Sequence, residues 1–118
     1  MAGVKTAVYK YPFDIEPSFQ IEMLAPAEIL HVDVQYGRPC MWVMVWPEAE
    51  SSILREFVVY GTGQTWQQTD NIVHHGTVLL PGASVTYVWH VFEIQPWRAI
   101  KRLLTKSRKP EPEPEEVA

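Results

Sequence analysis

Cysteine is almost missing from this chain: Cys40 is the only one in 118 residues. A lone thiol cannot close an internal disulfide, so no disulfide framework supports the fold, and a reducing setting is favoured. Nor is there a cysteine pair or a histidine spacing of the kind that makes a zinc signature. No apolar run approaches the roughly 18 residues that a membrane-spanning helix needs. Met1-Ala2-Gly3-Val4-Lys5 lacks the basic-then-apolar layout of a secretion signal. The expectation is a soluble, cytoplasmic protein. Glycine is scarce as well, six residues in all, and Gly61-Thr62-Gly63 lacks the lysine and following helix of a phosphate-binding loop. Its plain role is a strand-exit turn. Cys40 opens the most apolar run, where a thiol behaves as a small hydrophobe rather than as an activated nucleophile. These absences argue against an enzyme and against a bound cofactor.

Basic residues are rare over most of the length. Residues 1–96 carry four Lys/Arg against ten Asp/Glu, a balance of −6, whereas residues 97–109 carry six Lys/Arg and no acid. Residues 110–118 then carry four Glu and no base. An acidic body repels phosphate, so nucleic acid is not an expected partner.

What is present is a ladder of short β-type runs. Val4 to Tyr11 is the first, ended by Pro12, which cannot donate to a ladder. Phe19, Ile21 and Met23 alternate with polar residues in the second, and Leu30, Val32, Val34 and Tyr36 alternate with His31, Asp33 and Gln35 in the third. Gly37-Arg38-Pro39 reads as a turn. Cys40 to Trp46 is apolar at nearly every position, which predicts a central strand buried on both faces. Ile53 to Tyr60, Ile72 to Leu80 and Val85 to Glu93 supply three more, with Gly76 predicted to mark a bulge or a close backbone approach. Sequential antiparallel pairing is the economical topology. The fold class is all-β: a small antiparallel sandwich or partly open barrel of about seven strands over residues 1–95.

The C-terminal part differs. Residues 96–108 predict an added basic amphipathic helix, with Trp97, Ile100, Leu103 and Leu104 on one stripe and Arg98, Lys101 and Arg102 around it. Residues 109–118 are a Pro/Glu tail with the composition of a disordered segment. The helix stripe is expected to dock on the acidic body, on a second copy or on another protein. The adjoining acidic tail argues against a membrane surface.

Several landmarks together resemble a family of small tailed-bacteriophage proteins: Lys10-Tyr11-Pro12, Ile29-Leu30-His31-Val32, Trp42 to Val45 with Pro47, Gly61-Thr62-Gly63, Gly76-Thr77, and Trp89-His90-Val91-Phe92-Glu93. The likeness spans residues 5–93. It differs at Gln64, where family members often carry a histidine, and in having residues 94–118 beyond the usual stop. The resemblance implies a phage gene product and brings no activity with it.

Two candidate sites follow. The four histidines could hold a metal only if His31, His90 and one of His74 or His75 converged; adjacent His74 and His75 point to opposite faces of a regular strand. The expectation is no metal. The connection from Thr62 to Asn71 sets Trp66 among short polar side chains, a composition suited to recognition and the better functional candidate; the favoured plainer reading is that Trp66 folds back over one end of the core. The expected interaction surface is therefore Gln64, Trp66 and Gln67, with Trp97, Arg98, Lys101 and Arg102 on the helix. The function this supports is a phage accessory protein that binds a protein partner, either a bacterial host factor or another copy of itself. The alternatives are a minor structural component of the virion, or a ligand-binding or enzymatic β domain with a pocket lined by His31, His90 and tryptophans.

Overall fold

A computed structural model describes residues 3–67 and 71–95. The helix and tail expected over 96–108 and 109–118 lie outside the described residues. Seven strands run in chain order: β1 (Ala7–Pro12), β2 (Ser18–Ala25), β3 (Ala27–Gln35), β4 (Arg38–Val45), β5 (Ser51–Gly61), β6 (Ile72–Pro81) and β7 (Thr86–Ile94). They form two antiparallel sheets, one ordered β1-β4-β3 and the other β2-β5-β7-β6. The architecture is a two-sheet sandwich. No helix occurs among the described residues, so none there is long and apolar enough to cross a membrane.

Sequential pairing does not hold. Only β3–β4 and β6–β7 are hairpins between consecutive strands; β1 pairs β4, β2 pairs β5 and β5 pairs β7. Pro26 alone separates β2 from β3, and a hairpin needs at least two loop residues. The chain therefore turns a corner at the cis Ala25–Pro26 bond and continues in the opposite sheet.

The β3–β4 hairpin closes through Tyr36 and Gly37, with φ of 53° and 76°, and Gln35 pairs with Arg38. Two consecutive positive φ values mark a type I′ turn, which matches the twist of the strands it joins. The turn thus sits one residue earlier than Gly37-Arg38-Pro39, and Tyr36 is a fully exposed turn residue rather than part of the strand's apolar face.

The core lies between the sheets. Met41, Val43 and Val45 of β4 meet Phe57 and Val59 of β5, Val78 of β6 and Val91 of β7, joined by Met23, Val32 and Phe13. Phe13, Phe19 and Phe57 stack in a row, with ring centroids 4.9 and 5.3 Å apart. β4 is central in its sheet, as expected, but it is not buried on both faces throughout. Trp42 and Met44 point outward and are half-buried, and Trp42 lies 5.9 Å from the His31 ring.

Two bulges re-aim side chains. In β3 the register slips between Ile29 and His31, so Leu30 is the extra residue; Ile29 takes the inward place and Leu30 is half exposed. In β6 it slips between His74 and Gly76. A Cβ at Gly76 would stand 2.8 Å from the Val32 Cβ, so the bulge is also a close approach of the two sheets, as the glycine predicts.

Candidate functional site

Strand parity places a charged cluster inside the sandwich. Arg55, Phe57 and Val59 share the inward face of β5, and Val91 and Glu93 share that of β7. Arg55 Nε and Nη2 donate to Glu93 Oε2 and Oε1 at 2.7 and 2.9 Å, and Arg55 Nη1 donates to the Ala27 carbonyl at 2.8 Å. The β6 bulge turns His75 inward, where its Nε2 lies 2.7 Å from Glu93 Oε1. Side-chain exposures are 13% for Arg55, 5% for Glu93 and 17% for His75. Burial pushes the Glu93 carboxyl up, but the hydrogen bonds and charges of Arg55 and His75 outweigh it and hold the group below the ordinary carboxylate range. Both Glu93 carboxylate oxygens and all three Arg55 guanidinium nitrogens have partners, which is how a buried ion pair is tolerated.

A second cluster lies on the outward face of the four-stranded sheet. Tyr60, His90 and Thr77 stand side by side on β5, β7 and β6, and in the next row Val58, Phe92 and His74 do the same. The chain leaves β5 through Gly61 and Gly63, the latter at φ 88°, and Gln64 fastens the turn: the Gly61 amide donates to its side-chain oxygen at 2.9 Å, and its own amide donates to the Gly61 carbonyl at 3.0 Å. That turn brings Trp66 back flat over Tyr60, at 3.9 Å between centroids and 3° between planes. Phe92 meets both rings at a slant, 5.8 Å from Trp66 and 6.0 Å from Tyr60, and the His74 ring meets Phe92 edge-on at 5.2 Å. Trp66 remains 39% exposed.

Polar side chains along this patch satisfy one another. Thr77 Oγ1 lies 3.0 Å from both His74 Nε2 and His90 Nδ1, while His90 Nε2 lies 2.8 Å from Thr62 Oγ1. One proton arrangement serves all three contacts: His74 Nε2–H donates to Thr77, Thr77 donates to His90 Nδ1, and His90 Nε2–H donates to Thr62. The result is a fixed aromatic surface with a braced histidine–threonine edge. Trp66 stacks on the outside of a sheet, so it does not cap the core.

The four histidines do not converge. His31 sits on the outward face of the other sheet, 3.4 Å from Asp33, whose carboxyl is held below its ordinary range by the Val34 amide and then by His31. His74 and His90 share the aromatic patch, and His75 joins the buried ion pair. Among the described residues no group of three or more His, Cys, Asp and Glu is placed to hold a metal ion. Of the expected interaction residues, Gln64 serves the turn, Trp66 is the centre of the patch and Gln67 is exposed beside it. Trp97, Arg98, Lys101 and Arg102 lie outside the described residues.

Tyr60, Phe92, His74, His90, Thr62 and Thr77 were not legible as one surface, because only the β5-β7-β6 order makes them neighbours. The Arg55–Glu93 pair did leave a signal: each charge continues an inward-facing apolar alternation, and the two are opposite in sign.

A family model described as a domain of unknown function, DUF7352, matches residues 4–99, which takes in all seven strands. No curated protein and no solved structure matches the chain.

Proposed function

The chain belongs to the DUF7352 family, and we propose that it acts by protein–protein binding through the aromatic patch on its four-stranded sheet. The observation that supports this is the Trp66–Tyr60 stack. A tryptophan held flat and still well exposed contributes nothing to the sandwich core, yet its rotamer freedom is already spent. Rigid, amphipathic aromatics of this kind act as binding anchors, since little entropy is lost when a partner covers them. Phe92 and His74 widen the apolar ground, and the Thr62–His90–Thr77 chain supplies directional polar groups at its edge.

The role is non-catalytic in this proposal. Among the described residues the one buried charged cluster, Arg55–Glu93–His75, is spent on internal bonds between β5, β7, β6 and the start of β3. The likeness to small tailed-bacteriophage proteins supports reading the chain as a phage accessory factor, whose partner would then be a bacterial host protein met in the cytoplasm.

The test is affinity capture of tagged chain from infected cells, wild type beside Trp66→Ala, quantified by mass spectrometry. A host protein enriched with the wild type and lost with Trp66→Ala, while the two melt alike, is the expected result. An identical captured set with both would refute the patch as the binding site. Stoichiometric copies in purified virions would refute the accessory role.

A further inference from the structure

The three-stranded sheet has an outward face of its own. Met41, Val43 and Val45 of β4 point into the core, so Trp42 and Met44 point out. Cross-strand pairing sets Val8 of β1 and Glu28 of β3 on either side of Met44, and Lys10 and His31 on either side of Trp42. The β3 bulge adds Leu30 next to His31. Trp42 and Met44 are half-buried, Val8 is 55% exposed and Leu30 48%. The apolar ground is thus continuous along β4, and opposite charges flank it: Lys10 on the edge strand β1 and Glu28 on the edge strand β3. Among the described residues neither charge has an ion-pair partner, and Lys10 Nζ donates to the neutral Gln35 side-chain oxygen at 2.8 Å. Arg38, farther along β4, lies 3.4 Å from Asp14.

We propose that this face binds a second copy of the chain, the two sheets packing face to face about a two-fold axis that runs along β4. The charge pattern selects both the occupant and the arrangement. An axis along the strands lays β1 of one copy over β3 of the other, so Lys10 meets Glu28 of the second copy twice in one dimer. Their rows are two residues apart, about 7 Å along the strand, which a lysine side chain spans. An axis across the strands would instead lay β1 on β1 and β3 on β3, setting like charges together. In the first arrangement Trp42 and Met44 meet their own counterparts at the centre, and tryptophan and methionine are residue types enriched at interface cores. Stacked sheets cross at about 30°, so contact is confined to this centre, and Arg38, already paired with Asp14, diverges from its counterpart. The −6 balance of residues 1–96 opposes association at long range, but physiological salt screens it beyond about 8 Å. Three short strands make a small face, so the dimer is weak, with a dissociation constant near about 100 µM. The Trp66–Tyr60 patch lies on the other sheet and stays open, which separates this contact from the binding proposed above.

Analytical ultracentrifugation of the full chain in about 150 mM salt, from roughly 5 µM to 500 µM, tests the pairing. The mass is expected to climb from that of one chain towards that of two across this range. Lys10→Glu and Glu28→Lys should each weaken the dimer at least about tenfold, because each sets like charges together at two points. Mixed in equal amounts, the two variants should associate as the wild type does, since every facing pair is again opposite in sign. Leu30→Arg should weaken the dimer from the apolar side, whereas Leu54→Arg and Trp66→Ala, on the other sheet, should leave it unchanged. All of these positions are exposed, and each variant should melt like the wild type at the lowest concentration. A wild type that stays monomeric throughout would overturn the proposal. So would Lys10→Glu or Glu28→Lys chains that dimerise as tightly as the wild type, or a mixture no tighter than either variant alone. A dimer lost with Trp66→Ala would move self-association to the aromatic patch and overturn it equally.

Discussion

Replacing Arg55 by methionine isolates the buried charge cluster. Methionine keeps most of the side-chain volume and removes three donors at once, two to Glu93 and one to the Ala27 carbonyl. What remains, among the described residues, is a carboxylate at 5% exposure with His75 as its one side-chain partner. Removing one member of a buried ion pair destabilises by about 3–5 kcal/mol, chiefly because the other charge is left desolvated. The orphaned Ala27 carbonyl adds to this, while protonation of Glu93 itself relieves part of it, so about 3 kcal/mol is expected near neutral pH. Urea unfolding at pH 7 reads this directly. With a slope of about 1–3 kcal/mol per molar, the midpoint should fall by roughly 1–3 M at unchanged slope. Glu93→Gln adds the pH signature. The folded Glu93 carboxyl lies below its unfolded value, so its contribution is complete above about pH 4.5 and is lost as pH falls through the lower folded value. The gap in stability between wild type and Glu93→Gln should therefore be widest near neutrality and narrow in acid. A midpoint shift for Arg55→Met equivalent to less than about 0.5 kcal/mol, typical of exposed pairs, would show that the cluster is solvated and would refute the reasoning.

Three further substitutions test packing. Phe57→Ala removes a fully buried ring stacked on Phe19 and should destabilise by about 3–5 kcal/mol in the same assay. Trp42→Ala, on the half-buried outward face of β4, should lower stability by about half as much; a loss equal to that of Phe57→Ala would show that Trp42 is covered. Gly76→Ala drives a methyl to 2.8 Å from the Val32 Cβ and should cost about 1–3 kcal/mol in thermal melts, and Val32→Gly, which removes that Cβ, should cost less in the Gly76→Ala background than alone; additive losses would deny the contact.

The strands themselves were legible because their signal is local. Period-two alternation in Phe19–Met23 and the apolar run from Cys40 to Trp46 depend only on which residues suit a half-buried or central strand, and Gly76 announced its own bulge by lacking a Cβ. Leu30 was misplaced because a bulge changes strand parity without changing composition: one extra residue between Ile29 and His31 moves the leucine out of the core. Pairing order was not local information either. With only Pro26 between β2 and β3 the chain changes sheets, and β2 finds β5, more than two dozen residues away. By itself, then, the sequence determined an all-β domain, its seven strands, and an acidic body followed by a basic and then an acidic stretch. Only the tertiary structure decided that Arg55, Glu93 and His75 share one buried site and that Trp66 lies on Tyr60 beside Phe92 and two histidines. Those neighbours are set by cross-strand pairing and by a bulge, and both depend on how the sheets close around a common core rather than on any short stretch of residues.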